Sequence, residues 1–233
     1  MKVLALTLEK CSGCAILVDD RVVFSTSEER YTRIKSDSSF PTNSIRDALL
    51  TCNMKGSDFD KVIICGNKIS LIPSLINEYS TFSVDDQIKA MEEYWYPNLM
   101  QGQNRSFLDI FRDKIKLDQY PFNTELGKKF DVFSLQNPYT EEDGRRVSEF
   151  YIKTISSFLE IDEEKITHME HDWCHAAYAF YGSPIRDDNT LIVTADAWGD
   201  DLSGSLSLYS KSKGQIERVK EYHHKDFQLA RIY

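Results

Sequence analysis

The first 25 residues, MKVLALTLEKCSGCAILVDDRVVFS, contain three short apolar segments, at residues 1–8, 15–18 and 21–25. The last two are separated by the pair Asp19-Asp20, which is typical of a turn. Alternating aliphatic residues and short apolar runs are typical of strands. The stretch therefore predicts a three-stranded antiparallel meander.

A helix and a further strand follow the meander. Pro41 opens a helix to about Cys52, because proline fits the first turn, where its missing N–H is not needed. Residues 61–65 form a short apolar strand. Strands, then a helix, then a strand predict an α/β domain of the ribonuclease-H-like class.

The middle of the chain has a different pattern. Helical segments around residues 84–94 and 106–115 replace the strands, and a long amphipathic helix spans residues 141–159. We therefore predict a ribonuclease-H-like domain formed by residues 1–65 and 148–233, with a helical insertion at residues 66–147.

The composition indicates small-molecule chemistry. The net charge of −9 argues against a nucleic-acid partner or an anionic membrane surface, because both require clustered Lys and Arg. The sequence has no run of 18 apolar residues and no signal-peptide pattern, so we expect a cytoplasmic protein. Cys11 and Cys14 form a Cys-x-x-Cys motif, for which a tight turn is favoured over a redox or zinc site.

Two histidines one helical turn apart make the strongest candidate site. A predicted helix carries His171 and His175, and the next apolar strand ends in Asp196. Residues four apart on a helix lie about 5–6 Å from each other, so both imidazoles can reach one ion and Asp196 can be its third ligand. Such ligands suit iron, manganese or zinc. The alternative is a chance pair on a helix surface, and His168 is interpreted as a bystander.

The loop after this strand is a candidate for phosphate binding. Residues 197–201 include Gly199 and Asp200, and glycine-containing loops can present backbone N–H groups to a phosphate. Acidic residues repel phosphate unless a cation lies nearby, which agrees with the predicted metal site. A plain hairpin rich in Asp and Gly is the alternative.

A third candidate is the charged segment between the meander and the Pro41 helix. Arg30, Arg33 and Lys35 could hold an anionic ligand through charge-assisted hydrogen bonds, with Glu28 and Glu29 orienting them. The alternative is a solvated charged loop.

Two segments together resemble the N-terminal part of the O-carbamoyltransferases, which include nodulation-factor and antibiotic-tailoring enzymes. They are EERYTRIK at residues 28–35 with Phe40-Pro41, and HDWCHAAYAFY at residues 171–181 with Asp196 beyond it. The resemblance implies the actin-like ATPase superfamily. It also implies that carbamoyl phosphate and ATP give a carbamoyl-adenylate, whose carbamoyl group passes to a hydroxyl of a sugar or other natural product.

The same resemblance assigns roles to residues. It makes His171, His175 and Asp196 metal ligands, gives His175 and Asp196 a catalytic part, and has the metal polarise the carbamoyl carbonyl or the phosphate. Three departures accompany it: Cys11-Ser12-Gly13-Cys14 replaces a His-Asp-Ser-Ser-like turn, Asp172 replaces a second histidine, and Ala197-Trp198 replaces a Gly after Asp196.

Residues 227–233 look like the beginning of a helix, so we expect the family's second half to follow in the native protein or in a partner chain, and the isolated chain to be inactive. The chain could also form a homodimer. Two alternative functions stay open. One is a non-catalytic actin-like module that binds a partner chain, favoured by Cys11, Cys14 and Asp172. The other is a sugar or acetate kinase relative, in which the histidine pair would have no role.

Overall fold

A computed structural model describes residues 1–136 and 140–224, and the chain divides into two compact units. The first comprises Met1–Ile64 and Ile69–Thr167. The second comprises Cys65–Lys68 and His168–Tyr233, of which residues up to 224 are described. The predicted helix start at residues 227–233 lies outside the described residues. Among the described residues, no helix has the length and apolar character that crossing a bilayer requires.

A mixed five-stranded sheet has the strand order β3-β2-β1-β4-β5. Its strands are β1 (Lys2–Thr7), β2 (Gly13–Val18), β3 (Arg21–Ser27), β4 (Lys61–Cys65) and β5 (Ile166–Met169). β1 pairs antiparallel with β2 and parallel with β4, and β2 pairs antiparallel with β3. The predicted meander and the strand at residues 61–65 are confirmed.

Helices account for most of the remaining first unit. They are α1 (Glu29–Thr32), α2 (Thr42–Thr51), α3 (Leu71–Ile76), α4 (Glu78–Thr81), α5 (Val84–Lys89), α6 (Tyr96–Met100), α7 (Phe107–Ile110), α8 (Glu125–Lys129) and α9 (Glu141–Leu159). A π-helical segment, Ala90–Trp95, joins α5 to α6. Short 3-10 turns occur at Gly56–Asp58, Arg112–Lys114, Val132–Ser134 and Glu163–Lys165. The helical segments predicted in this region are confirmed, while the boundaries of an insertion at residues 66–147 stay a prediction.

The core of the first unit forms where strand and helix periodicities bury aliphatic side chains. Val3 and Leu4 of β1 point to opposite faces of the sheet and are both buried, which explains why this central strand is aliphatic at consecutive positions. α9 begins at a capping box between Thr140 and Asp143, and its buried stripe includes Phe150.

The second unit combines an antiparallel sheet with one helix. Strands β6 (Thr190–Gly199), β7 (Leu202–Ser210) and β8 (Gln215–His223) lie in the order β6-β7-β8. Helix α10 (His171–Tyr181) packs on β6 through Ala176, Phe180 and Ile192. The predicted loop at residues 197–201 is wrong in its extent, because β6 continues to Gly199 and only a two-residue turn precedes β7.

Candidate metal centre

Helix α10 has two faces of different chemistry. Ala176 and Phe180 are buried, whereas the side chains of His171 and His175 are 30% and 51% exposed. The members of each pair are four residues apart, and this spacing places them on one side of the helix. The apolar face therefore fixes α10 on the sheet while the other face presents both imidazoles.

An irregularity in β6 positions the third side chain. Ala195 pairs with Gly204 and Gly199 pairs with Leu202, so residues 196–198 of β6 lie opposite residue 203 alone. A bulge of this kind interrupts the alternation of a strand and redirects its side chains. The Asp196 Oδ1 accepts a hydrogen bond from the Ala197 backbone N–H at 2.6 Å, which leaves Oδ2 for the imidazoles.

The three predicted ligands converge. The His171 Nε2 lies 2.9 Å from the Asp196 Oδ2 and 3.0 Å from the His175 Nε2. The His175 Nε2 lies 3.5 Å from the same Asp196 oxygen. Ligand atoms around one ion, each at about 2.0–2.2 Å from it, are themselves roughly 3–3.5 Å apart. The set can therefore hold a divalent metal, and it is the only such group found within the described part of the chain.

The electrostatics of the cluster favour an ionised carboxylate. Hydrogen bonds from His171, and then from His175, hold the pKa of the Asp196 carboxyl well below its usual range, against the opposing effect of burial. Two imidazole nitrogens that face each other at 3.0 Å require either a proton or a cation between them. Both properties suit a cation-binding site.

The turn after β6 is held by its acidic residues. Asp200 and Asp201 adopt left-handed φ angles of 51° and 70°, the signature of a type I′ hairpin turn. The Asp200 carboxylate accepts hydrogen bonds from the backbone N–H groups of Asn67, Lys68 and His171 at 2.7–2.9 Å. Asp200 thus caps the beginning of α10, and its predicted role in binding a co-substrate stays a prediction.

Gly199 makes room for one of the imidazoles. A Cβ atom at this position would lie 2.2 Å from the His171 Cδ2 and 2.4 Å from its Cγ. Glycine is therefore the residue that lets the His171 ring lie against β6, since any side chain would displace it. Its predicted contact with a phosphate is untested.

A buried ionic network holds the first turn of α10. The Asp172 side chain, 3% exposed, accepts hydrogen bonds from the Thr194 hydroxyl and from the Arg218 Nη2, the latter at 3.2 Å. The Arg218 guanidinium also donates to Glu170 and lies 5.1 Å from the centre of the Trp173 ring. The network joins α10 to β6 and β8, so it fixes the helix that carries both histidines.

Three members of this network were not predicted. Glu170 precedes the helix as a capping residue would, and Thr194 lies two positions before Asp196 on the same strand. These positions in the sequence could have indicated that both residues support the site. Arg218 offered no such indication, because it lies 46 residues from Asp172.

The predicted anion-binding residues belong to the first unit. Arg30, Arg33 and Lys35 are exposed and form no ion pair within the described residues. The expected orienting role of the neighbouring glutamates is wrong. The buried Glu28 carboxylate instead accepts from the Asn43 and Ser44 N–H groups at the start of α2, and the Glu29 carboxylate accepts from the Ser36 N–H.

The remaining histidine and cysteine candidates have structural positions. His168 bonds through Nδ1 to the Gly66 carbonyl at 2.7 Å, outside the metal-type cluster. Cys11 lies in the predicted turn with a φ of 61°, and Cys14 is buried in β2, where burial raises its pKa to about 12. All five cysteines are free. The turn interpretation of Cys-x-x-Cys holds for Cys11 only, because Cys14 lies in β2.

Comparison with known protein families identifies the family of this chain. Residues 4–233 match the family described as carbamoyltransferase N-terminus. The chain therefore belongs to the carbamoyltransferase N-terminal family. No curated protein matches the chain.

Proposed function

We propose that the chain is the N-terminal part of an ATP-dependent O-carbamoyltransferase of the nodulation-factor and antibiotic-tailoring type. The observation that carries the proposal is the convergence of His171 Nε2, His175 Nε2 and Asp196 Oδ2 within 4.8 Å in a chain of this family. The resemblance of residues 28–35 and 171–181 to the same enzymes supports it.

The proposal includes a ribonuclease-H-like fold of the actin-like ATPase superfamily. The strand order β3-β2-β1-β4-β5, with a meander at one edge and β4 parallel to β1, supports this assignment. Such a fold would place polar residues at strand ends and in the turns between strands, where ligands are commonly bound in α/β proteins.

The proposed transfer balances as follows. Water first hydrolyses carbamoyl phosphate to carbamate and inorganic phosphate, and a carbamate oxygen then attacks the α-phosphorus of ATP, which gives a carbamoyl-adenylate and releases pyrophosphate. A hydroxyl of a small sugar or other natural product then attacks the carbamoyl carbon, a new C–O bond forms, and the C–O bond to the adenylate phosphate breaks. AMP leaves with the bonding electrons, and the hydroxyl proton passes to a base.

The residues of this chain would contribute binding and orientation. His171, His175 and Asp196 would hold a divalent metal, which when bound supplies Lewis-acid polarisation of a carbonyl or phosphate oxygen. The fit rests on one carboxylate and two nitrogens that face each other at 3.0 Å. Arg30, Arg33 and Lys35, which are exposed and form no ion pair with another described residue, would bind a phosphate of a co-substrate through charge-assisted hydrogen bonds.

The experiment compares His175→Ala with His168→Ala in the complete native protein. We expect His175→Ala to lower bound metal, measured by elemental analysis, and to reduce carbamoyl transfer at least ~100-fold, because one ligand is lost. Formation of the carbamoyl-adenylate should persist. The matched control, His168→Ala, removes an imidazole outside the cluster and should keep both metal and transfer.

Other outcomes would redirect the assignment. Loss of adenylate formation together with transfer in His175→Ala would contradict the proposed division of labour. Complete native protein that transfers carbamoyl to no hydroxyl acceptor would favour a non-catalytic partner-binding module. The departure at Asp172 does not by itself favour that module, because the three converging ligands do not include it.

A further inference from the structure

One nearly continuous helix in the first unit runs from Val84 through Met100, formed by α5, the π-helical segment and α6. The π-helical widening precedes Pro97, whose missing N–H and bulky ring disturb a regular α-helix at the preceding turn. Its inner face is fixed by Ala90, Tyr94 and Pro97, which are buried. Tyr94 makes an edge-to-face contact with Phe107.

The outer face of this helix is also apolar. Its side chains keep large exposed fractions, and we call them the outer stripe: Val84 (75%), Ile88 (49%), Met91 (58%), Trp95 (43%) and Leu99 (72%). A surface helix normally directs charged residues to solvent, and a helix that is apolar on both faces is normally covered on both. Nothing within the described residues covers the outer stripe.

We propose that the outer stripe is a twofold interface with a second copy of this chain. Its members follow one another at intervals of four, three, four and four residues, which is the spacing with which two helices pack along a seam. A twofold contact requires a patch that matches itself, and a stripe without any charged member satisfies this condition.

The size of the patch agrees with such a contact. Five large side chains exposed to this degree present on the order of several hundred Å². A standard interface buries about 800 Å² per partner, and the flanking exposed residues Tyr96 and Met100 extend the patch toward that value. A single small ligand would leave most of the stripe in water.

The charges beside the stripe disfavour an anionic membrane and make the effect of salt differ between a second copy and a basic partner. Asp85, Glu92 and Glu93 are exposed and acidic, which disfavours an anionic membrane. In a dimer these acids would gather around the seam and repel each other. Self-association should therefore strengthen when salt is added, whereas binding of a basic partner would weaken.

The test is sedimentation equilibrium of the complete native protein and its variants over a concentration series, at low and high salt. Wild type should form a dimer that tightens with salt. Ile88→Asp and Met91→Asp should each weaken it at least ~100-fold, because a carboxylate would be buried without a partner. The matched control is Leu50→Asp, a leucine of α2 that is 79% exposed outside the stripe, and it should dimerise as wild type.

Three results would overturn the proposal. Wild type could sediment as a monomer throughout the series. A dimer could persist unchanged in both stripe variants. A monomer could bind a synthetic amphipathic Leu/Lys helix in a stripe-dependent and salt-weakened manner, which would assign the stripe to a basic partner instead. Circular dichroism of each variant checks that the overall helix content is unchanged.

Discussion

Different interactions stabilise the interior of each of the two units of this chain. The first has a large apolar core that includes the fully buried Leu6 of β1. The second has only four buried apolar side chains among its described residues, Ala176, Phe180, Ile192 and Leu202. Its helix is fixed in addition by buried ionic and hydrogen bonds around Asp172. Apolar burial stabilises without fixing direction, whereas hydrogen bonds fix geometry, so the unit with the candidate site is the one in which orientation matters most.

The largest effect is expected where the apolar core is broken. Leu6→Ala removes a side chain with no exposed surface from the central strand and should lower the free energy of unfolding by about 4 kcal/mol, through lost transfer energy and a residual cavity. Chemical denaturation measures the loss. Hydrogen exchange by mass spectrometry should show it in peptides of the first unit.

The control for this prediction is a leucine of similar size in water. Leu50→Ala truncates a side chain that is 79% exposed and should change stability by less than ~0.5 kcal/mol. If both variants lost the same stability, the first unit would not depend on its buried core in the way the comparison requires.

A smaller effect is expected where the polar network of the second unit is broken. Asp172→Ala removes a buried acceptor of the Thr194 hydroxyl and of the Arg218 Nη2, although the Thr194 hydroxyl keeps the buried Ser205 as a partner. Removing one partner of a buried pair costs about 3–5 kcal/mol, but Arg218 keeps Glu170 and Glu221, so we expect about 2–3 kcal/mol. Metal affinity, measured by calorimetry, should fall by roughly 10–100-fold because the ligand helix loses its anchor.

Glu221→Ala provides the matched control for the network. It removes another carboxylate of Arg218, but one that is 46% exposed, so the loss should stay below ~1 kcal/mol. Equal metal affinity in Asp172→Ala and Glu221→Ala would show that the buried network does not position the histidines.

The same contrast explains what the sequence predicts and what it does not. β1 to β3 and α9 were predicted because their burial follows a period of two or 3.6 residues, and the histidine pair because it lies within one helix turn. The bulge in β6, the cap that Glu28 provides for α2 and the contact of Arg218 with Asp172 arise from pairing between distant segments. No local period encodes such contacts.

The smallest effect is expected from protonation of the candidate ligand Asp196. Its folded pKa is lowered, first by the His171 hydrogen bond, from an unfolded value of about 3.9. The resulting stabilisation is complete above that value and is lost as the pH falls below it. The metal-free protein should therefore lose more stability between about pH 6 and about pH 3 than Asp196→Asn does. The difference should be small, since the carboxylate is 31% exposed and solvent screens it.

Asp187→Asn, which removes an exposed carboxylate of the same unit, should follow the wild-type curve. Denaturation midpoints that fall in parallel for wild type and Asp196→Asn would show that the bonds to the imidazoles do not stabilise the metal-free fold.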